Sequence, residues 1–312
     1  MSLQIALYCP EAKDALRWAQ ALRTAMPDAT VQPWPNQLPN ANDADYAVVW
    51  SPSQEFLNAN SRVKAIFNLG AGVDALLKLR LPAGVPVVRL EDAGMGALMV
   101  QYVCHAVLRH YRMLDTLTAD MQAGLWHPRF PRPIDDFPIG IMGLGVLGQQ
   151  VARGLQSFGF PLVGWSRSPK HIDGMHCYHG PDQVAYFLAA TRVLVCLLPL
   201  TPDTQGIINT DTLSRLMTPG YVINVARGAH VVDDDLVAMI DSGQLAGATL
   251  DVFRTEPLPP DHAFRSRPQI TLTPHISAQT QMGDTIAQIC RKMLALQRGE
   301  PITGVVDIAK AY

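Results

Sequence analysis

The sequence predicts an α/β protein of two doubly wound parallel-sheet domains with an interdomain cleft. Three observations predict it. Short apolar runs alternate with amphipathic stretches along almost all of the 312 residues, which is the pattern of βα units. One apolar run leads directly into a glycine-rich loop and then a helical pattern. No repeat of solenoid length and no low-complexity tract interrupts the alternation.

Strands are expected first at Ile5–Tyr8, Tyr46–Trp50, Ala65–Leu69 and Pro86–Leu90. A helix is expected from Ala12 to Met26, where Ala15, Leu16, Trp18, Ala19 and Leu22 fall at helical spacing. A long helical pattern without proline runs from Gly94 to about Gly124. Residues 126–138, rich in proline and charge, read as the crossing between domains. Strands resume at Ile139–Met142, Leu162–Trp165, Val193–Leu197, Tyr221–Asn224, Ala248–Leu250 and Ile270–Leu272. The tail is helical again from Ser277 to about Arg298. The domains expected are a discontinuous one, 1–99 plus 277–312, and a continuous one, 100–276.

Composition excludes several classes. Apolar residues make up 48% and charged residues 17%, a compact composition rather than a disordered one. With 25 basic and 27 acidic side chains and no basic run, nothing favours nucleic acid or an anionic membrane surface. No apolar run approaches the roughly 18 residues of a membrane span. The start, residues 1–14, lacks a basic n-region and reads as a first strand, not a signal peptide. Five widely spaced cysteines without a C-x-x-C pair suit a reducing compartment, so a cytoplasmic protein is expected.

The loop Ile139-Gly-Ile-Met-Gly-Leu-Gly-Val-Leu-Gly148 carries G-x-G-x-x-G between a strand and a helix, the context of a Rossmann-like dinucleotide site. Gly143 permits the tight turn, Gly145 lets backbone approach a pyrophosphate, and Gly148 lets the helix pack close. Val146 and Leu147 open the helix, whose first N–H groups face the anion. An NAD site carries an acid about 20 residues on, for the ribose 2′-hydroxyl. Here Ser166, Arg167, Ser168 and Lys170 stand instead. Hydroxyls and positive charge suit a 2′-phosphate, so NADPH is expected over NADH. The bland alternative is a solvated basic turn.

Three further segments follow predicted strands, where open α/β sheets hold ligands. They are Ile223-Asn-Val-Ala-Arg-Gly228, Leu250-Asp-Val-Phe-Arg-Thr-Glu-Pro257 and Leu272-Thr-Pro-His-Ile276. At these residues the chain resembles the D-2-hydroxyacid dehydrogenase family, and within it the glyoxylate/hydroxypyruvate reductase A branch. The resemblance also takes in Asn68–Asp74, the glycine loop, Pro199–Thr204 and the tail from Pro274 to Tyr312.

The resemblance implies that Arg227 grips the carboxylate of a small 2-oxo acid and polarises its carbonyl, chemistry that suits a planar guanidinium. His275 would donate the proton to the oxygen as hydride reaches C2. Glu256 would hold the other imidazole nitrogen and favour the imidazolium. Formate-oxidising relatives carry glutamine at the matching position, so glutamate argues against that activity. By the same resemblance, Leu69, Gly70 and Ala71 bind the substrate carboxylate through backbone N–H groups. Asp251 contacts the nicotinamide carboxamide, Pro199, Leu200 and Thr201 line the cofactor cleft, and Val225 and Ala226 are cofactor contacts. Trp50 and Met95 match pocket positions of the branch, and a bulky wall there favours glyoxylate or hydroxypyruvate. Trp50 as ordinary core is the alternative. Trp126 and Arg129 are weaker pocket candidates and serve a dimer contact equally well. The long helix after Gly94 implies a homodimer.

Other groupings carry less. His171, His176, Cys177 and His179 lack paired ligand spacing, so a solvated loop is expected and no metal. Asp233–Asp235, next to His230, are expected to cap a helix. The reaction expected is NADPH-dependent reduction of glyoxylate to glycolate and of hydroxypyruvate to D-glycerate. The alternatives are an NADH-dependent reductase of a larger 2-oxo acid and a non-catalytic, dinucleotide-sensing binding protein.

Overall fold

A computed structural model describes residues 2–35 and 44–308. Met1 and residues 309–312, assigned above to the discontinuous domain and the tail, lie outside the described residues. The chain divides into two compact units, Met1–Met95 with Thr280–Tyr312, and Gly96–Gln279.

The first unit holds β1 (Gln4–Tyr8), α1 (Ala12–Ala25), β2 (Thr30–Pro33), β3 (Tyr46–Val49), α2 (Gln54–Ala59), β4 (Ala65–Asn68) and β5 (Val87–Val88). Its sheet is parallel, in the order β2-β1-β3-β4-β5. Strands β3 and β4 are buried on both faces, which is why they read as apolar runs, with the buried Asn68 as the polar end of β4. Helix α1 buries Ala15, Ala19 and Leu22 at i, i+4 and i+7.

The second unit begins inside α3 (Met95–Tyr111), at Gly96, and continues with α4 (Leu114–Gln122). The expected single long helix is broken at Met113, whose φ of 53° ends one ladder and starts the next. Then come β6 (Ile139–Met142), α5 (Val146–Gln156), β7 (Leu162–Ser166), β8 (His176–His179), α6 (Val184–Ala189), β9 (Val193–Cys196), α7 (Thr210–Ser214), β10 (Gly220–Asn224), α8 (Asp233–Asp241), β11 (Leu245–Leu250) and β12 (Ile270–Leu272). The parallel sheet runs β12-β11-β10-β9-β6-β7-β8. Ile139, Ile141, Val193, Val195 and Ile223 face α3 and α5 on one side. Met142, Leu194, Cys196, Val222 and Leu250 face α6, α7 and α8 on the other. Burying one such aliphatic side chain contributes about 1.5–3 kcal/mol. The tail returns to the first unit as α9 (Met282–Gln297), which packs on α1.

Several expectations need correction. Residues 126–138 lie inside the second unit, between α4 and β6, and are not a crossing between units. The seams fall at 95/96 and 279/280, against 99/100 and 276/277 in the sequence reading. Helix α3 already starts at Met95, and the backbone at Ile276 and Ser277 is tied to Asp251 in the second unit. The same ties delay the tail helix to Met282. Strands β2 and β8 are additions. Both are edge strands that lack an alternating apolar pattern, so neither shows in the sequence. His176, Cys177 and His179 are therefore strand residues, not loop. Among the described residues no cluster is able to hold a metal. Asp233–Asp235 form the first turn of α8, but its N-cap is Val232, with no side-chain cap. Asp235 instead accepts from the Thr210 N–H, and Asp233 pairs with Arg254 and His262.

Candidate active site

Because every pairing in the seven-stranded sheet is parallel, the carboxyl ends of its strands share one edge. The glycine loop follows β6, Arg167 follows β7, Pro199 follows β9, Arg227 follows β10, Glu256 follows β11 and His275 follows β12. The chain leaves β6 toward β7 on one side and returns to β9 on the other. That switch point is where a doubly wound sheet leaves a crevice for a ligand.

The loop after β6 fits a dinucleotide pyrophosphate. Gly143 has φ 112°, closed to a side chain. A Cβ on Gly148 would stand 1.9 Å from the Gly143 carbonyl oxygen, so only glycine lets α5 start this close to the strand. A Cβ on Gly145 would meet nothing within 4 Å, so the space over the loop is open. Gly145 is the N-cap and supplies no side-chain cap. The first N–H groups of α5, at Val146, Leu147 and Gly148, are thus presented to an anion.

After β7, Arg167, Ser168 and Lys170 are exposed. Ser166 is not. It is buried, and its hydroxyl donates to the Ser168 carbonyl at 2.8 Å, so it shapes the turn and is not available as a phosphate donor. Arg167 lies 3.8 Å from Asp203, both well exposed, a weak pair.

Arg227 is set by its neighbours. Asn224, fully buried at the end of β10, donates to the Arg227 carbonyl at 2.9 Å and accepts from the Ala226 N–H at 3.2 Å. His230, also fully buried, accepts from the Arg227 N–H at 3.3 Å, and its Nε2 lies 3.3 Å from the Pro199 carbonyl oxygen. This ring links the arginine turn to the loop of Pro199, Leu200 and Thr201. Val225 and Ala226 are buried within that turn. Gly228 packs against Phe253, where a Cβ would stand 1.9 Å from the Phe253 carbonyl carbon. The arginine turn and the glutamate loop are thereby in direct contact.

Glu256 and His275 meet. His275 Nδ1 lies 2.8 Å from Glu256 Oε2, and Glu256 Oε1 accepts from the Phe253 N–H at 2.9 Å. About half of the imidazole is exposed. The Glu256 loop is anchored by Arg254, which donates to the Val231 carbonyl and pairs with Asp233 at 3.7 Å. Burial raises the Asp233 carboxyl above its ordinary pKa, against the pull of Arg254 and His262. His275 itself has φ 55°, a left-handed conformation uncommon outside glycine.

Asp251 departs from expectation. It is fully buried, and its carboxylate accepts from the Thr273 hydroxyl (2.6 Å) and from the Ile276 (2.9 Å) and Ser277 (2.8 Å) N–H groups. Its oxygens are engaged by the histidine turn and not directed at an open surface for a carboxamide. The sequence reading missed Asn224, Tyr102 and Thr273. A buried amide or a half-buried hydroxyl has no periodicity to reveal it.

In the first unit, Trp50 follows β3 and is 48% exposed, so it is not ordinary core. Its ring covers Gly70, where a Cβ would come within 2.5 Å of it. Gly70 and Ala71 follow β4. The Leu69 N–H donates to the Val49 carbonyl at 2.9 Å and belongs to the sheet, so it is not an anion donor. Met95 is buried at the start of α3.

Comparison with known proteins extends this geometry. Residues 104–277 match the D-isomer specific 2-hydroxyacid dehydrogenase NAD binding domain. A glyoxylate/hydroxypyruvate reductase A of Yersinia enterocolitica is 44% identical over 305 residues, covering 96% of this chain and 97% of that protein. A D-isomer specific 2-hydroxyacid dehydrogenase of Xanthobacter autotrophicus Py2, solved with NADPH and MES, superposes with TM-score 0.94 at 35% identity over all of both chains. An NADPH-dependent glyoxylate/hydroxypyruvate reductase of Sinorhizobium meliloti, solved with NADP and sulfate, gives TM-score 0.93 at 33% identity, over 99% of this chain and 100% of that one.

Proposed function

The chain belongs to the D-isomer specific 2-hydroxyacid dehydrogenase family, and we propose that it reduces glyoxylate to glycolate and hydroxypyruvate to D-glycerate with NADPH. The observation that carries this reading is the 2.8 Å contact between His275 Nδ1 and Glu256 Oε2, on the sheet edge that also bears Arg227 and the glycine loop. Relatives named for these two substrates, and neighbours solved with NADPH or NADP, support it.

The roles follow from the chemistry. Arg227 binds the substrate carboxylate through charge-assisted hydrogen bonds. Glu256 holds Nδ1 of His275, so Nε2 is the nitrogen that gives its proton to the carbonyl oxygen. Bound NADPH supplies the hydride that makes C2 tetrahedral. Arg167, Ser168 and Lys170 hold the 2′-phosphate, and Pro199, Leu200, Thr201, Val225 and Ala226 line the cofactor site. Gly70 and Ala71 give backbone N–H groups to the substrate carboxylate, while Trp50 and Met95 limit its size. We assign the cofactor to the second unit and the remaining substrate contacts to the first.

We further propose a homodimer in the cytoplasm. Leu114, Met121, Leu125, Trp126 and Phe130 are exposed on α4 and the segment after it, Trp126 at 82% and Phe130 at 84%, an apolar surface that a second copy would cover. All five cysteines are free, which suits a reducing compartment. Among the described residues no helix is long and apolar enough to cross a membrane.

The deciding experiment follows NADPH and NADH absorbance with glyoxylate, hydroxypyruvate and larger 2-oxo acids. The two small acids with NADPH should give the highest kcat/KM. A larger acid with NADH in first place would refute the proposal.

A further inference from the structure

Three consecutive N–H groups of the histidine turn point at one residue. The His275 N–H donates to the Asp251 carbonyl oxygen at 2.8 Å, the Ile276 N–H to Oδ1 and the Ser277 N–H to Oδ2. Thr273, two residues before His275, donates its only hydroxyl hydrogen to Asp251 Oδ1 at 2.6 Å. In its 2.5 Å contact with Tyr102 it must therefore accept, so the Tyr102 phenol is the donor. Tyr102 comes from α3, far away in sequence.

We infer that Tyr102 and Thr273 are positioning residues for His275. Through Asp251 they hold residues 273–277 in the one backbone shape that gives His275 its left-handed φ and sets its ring against Glu256. The inference rests on the reading of His275 as proton donor. The phenol suits a permanent donor, because burial, with a contribution from Asp251, pushes its pKa up to about 12. It therefore keeps its proton throughout the range in which an imidazole titrates. Hydrogen-bond networks of this kind fix a ring more tightly than packing alone.

The test uses the full-length enzyme with NADPH and hydroxypyruvate, in Thr273→Val, Thr273→Ser, Tyr102→Phe and His275→Gln forms. Thr273→Val should lower kcat about tenfold or more, since small misplacement of a reacting group is costly. Its NADPH affinity should stay within about threefold of the parent. The pH profile of kcat should change as well, because the contact between the ring and Glu256 is loosened. Thr273→Ser, which keeps the hydroxyl, should restore kcat and pH profile together. Tyr102→Phe should move both in the same direction by less, and it carries the test if Thr273→Val does not fold. Unchanged kcat and pH profile in Tyr102→Phe and Thr273→Val, beside a slow His275→Gln, overturns the brace alone. So does a lowered kcat with an unmoved pH profile and no rescue by serine. A His275→Gln enzyme of ordinary rate overturns the proton-donor assignment beneath it.

Discussion

His110 lies flat against Tyr221, with ring centroids 3.9 Å apart and planes inclined by 16°. Burial, reinforced by Arg192 and opposed by Asp115, drives the histidine pKa from 6.5 down to about 4. The folded protein thus holds this ring neutral where the unfolded chain would protonate it. Its contribution to stability is complete above pH 6.5 and is lost as pH falls from there toward 4, by up to roughly 3 kcal/mol. His110→Phe keeps the stack and cannot protonate. Urea unfolding at pH 7 and pH 5 should show a smaller acid-side loss in the variant. Equal losses would contradict the assignment.

Gly148→Ala places a methyl against the Gly143 carbonyl oxygen. Backbone must move, at a cost of about 1–3 kcal/mol. Thermal unfolding should register the cost, and NADPH titration by fluorescence should show affinity reduced about tenfold or more. Parental affinity in the folded variant would mean the loop does not hold the pyrophosphate.

Exposed cations after β7 are assigned to the 2′-phosphate. Arg167→Ala combined with Lys170→Ala removes charge-assisted bonds of about 1.5–3 kcal/mol each. The ratio of kcat/KM with NADPH to that with NADH should drop at least about tenfold. A ratio that does not move would show the preference arises elsewhere.

Asn224→Ala would leave the Ala226 N–H without its partner and the Arg227 carbonyl with the His230 N–H but not the Asn224 amide. An unsatisfied buried group costs about 1–3 kcal/mol. Stability should decline, and KM for glyoxylate should rise more than kcat falls, because the slackened turn carries the carboxylate-binding Arg227. A kcat effect with an unchanged KM would argue against that role.

His275→Ala should cut turnover about 100-fold or more while NADPH binding is kept. Arg227→Ala should raise KM for glyoxylate and lose several kcal/mol of transition-state stabilisation, judged by kcat/KM at about 1.5–3 kcal/mol per lost bond. Rates near the parent's in either variant would remove that residue from the reaction.

Much of this was legible in the sequence. The core strands were visible because buried parallel strands need unbroken apolar runs, and Ile139–Met142 and Ile270–Leu272 match the observed strands end to end. The glycine loop, Arg227, Glu256 and His275 were visible because they stand immediately after such strands, at ordered spacing. Edge strands β2 and β8 were not, since one face needs no apolar residue. The break at Met113 was hidden because a left-handed methionine looks like any other in a helical pattern.

What the sequence by itself determined is the core strands, the chemistry offered at their carboxyl ends and the absence of an acid directly after β7. What only tertiary structure decided is how donors and acceptors are shared. The Leu69 N–H went to the sheet, the Ser166 hydroxyl to its own turn, and Asp251 to the histidine turn, with Thr273 and Tyr102 behind it. The physical reason is that hydrogen-bond partners meet through space. A buried polar atom must find a partner once water is gone, and residues as distant in the chain as Tyr102 and Thr273 are neighbours only after the sheet has formed.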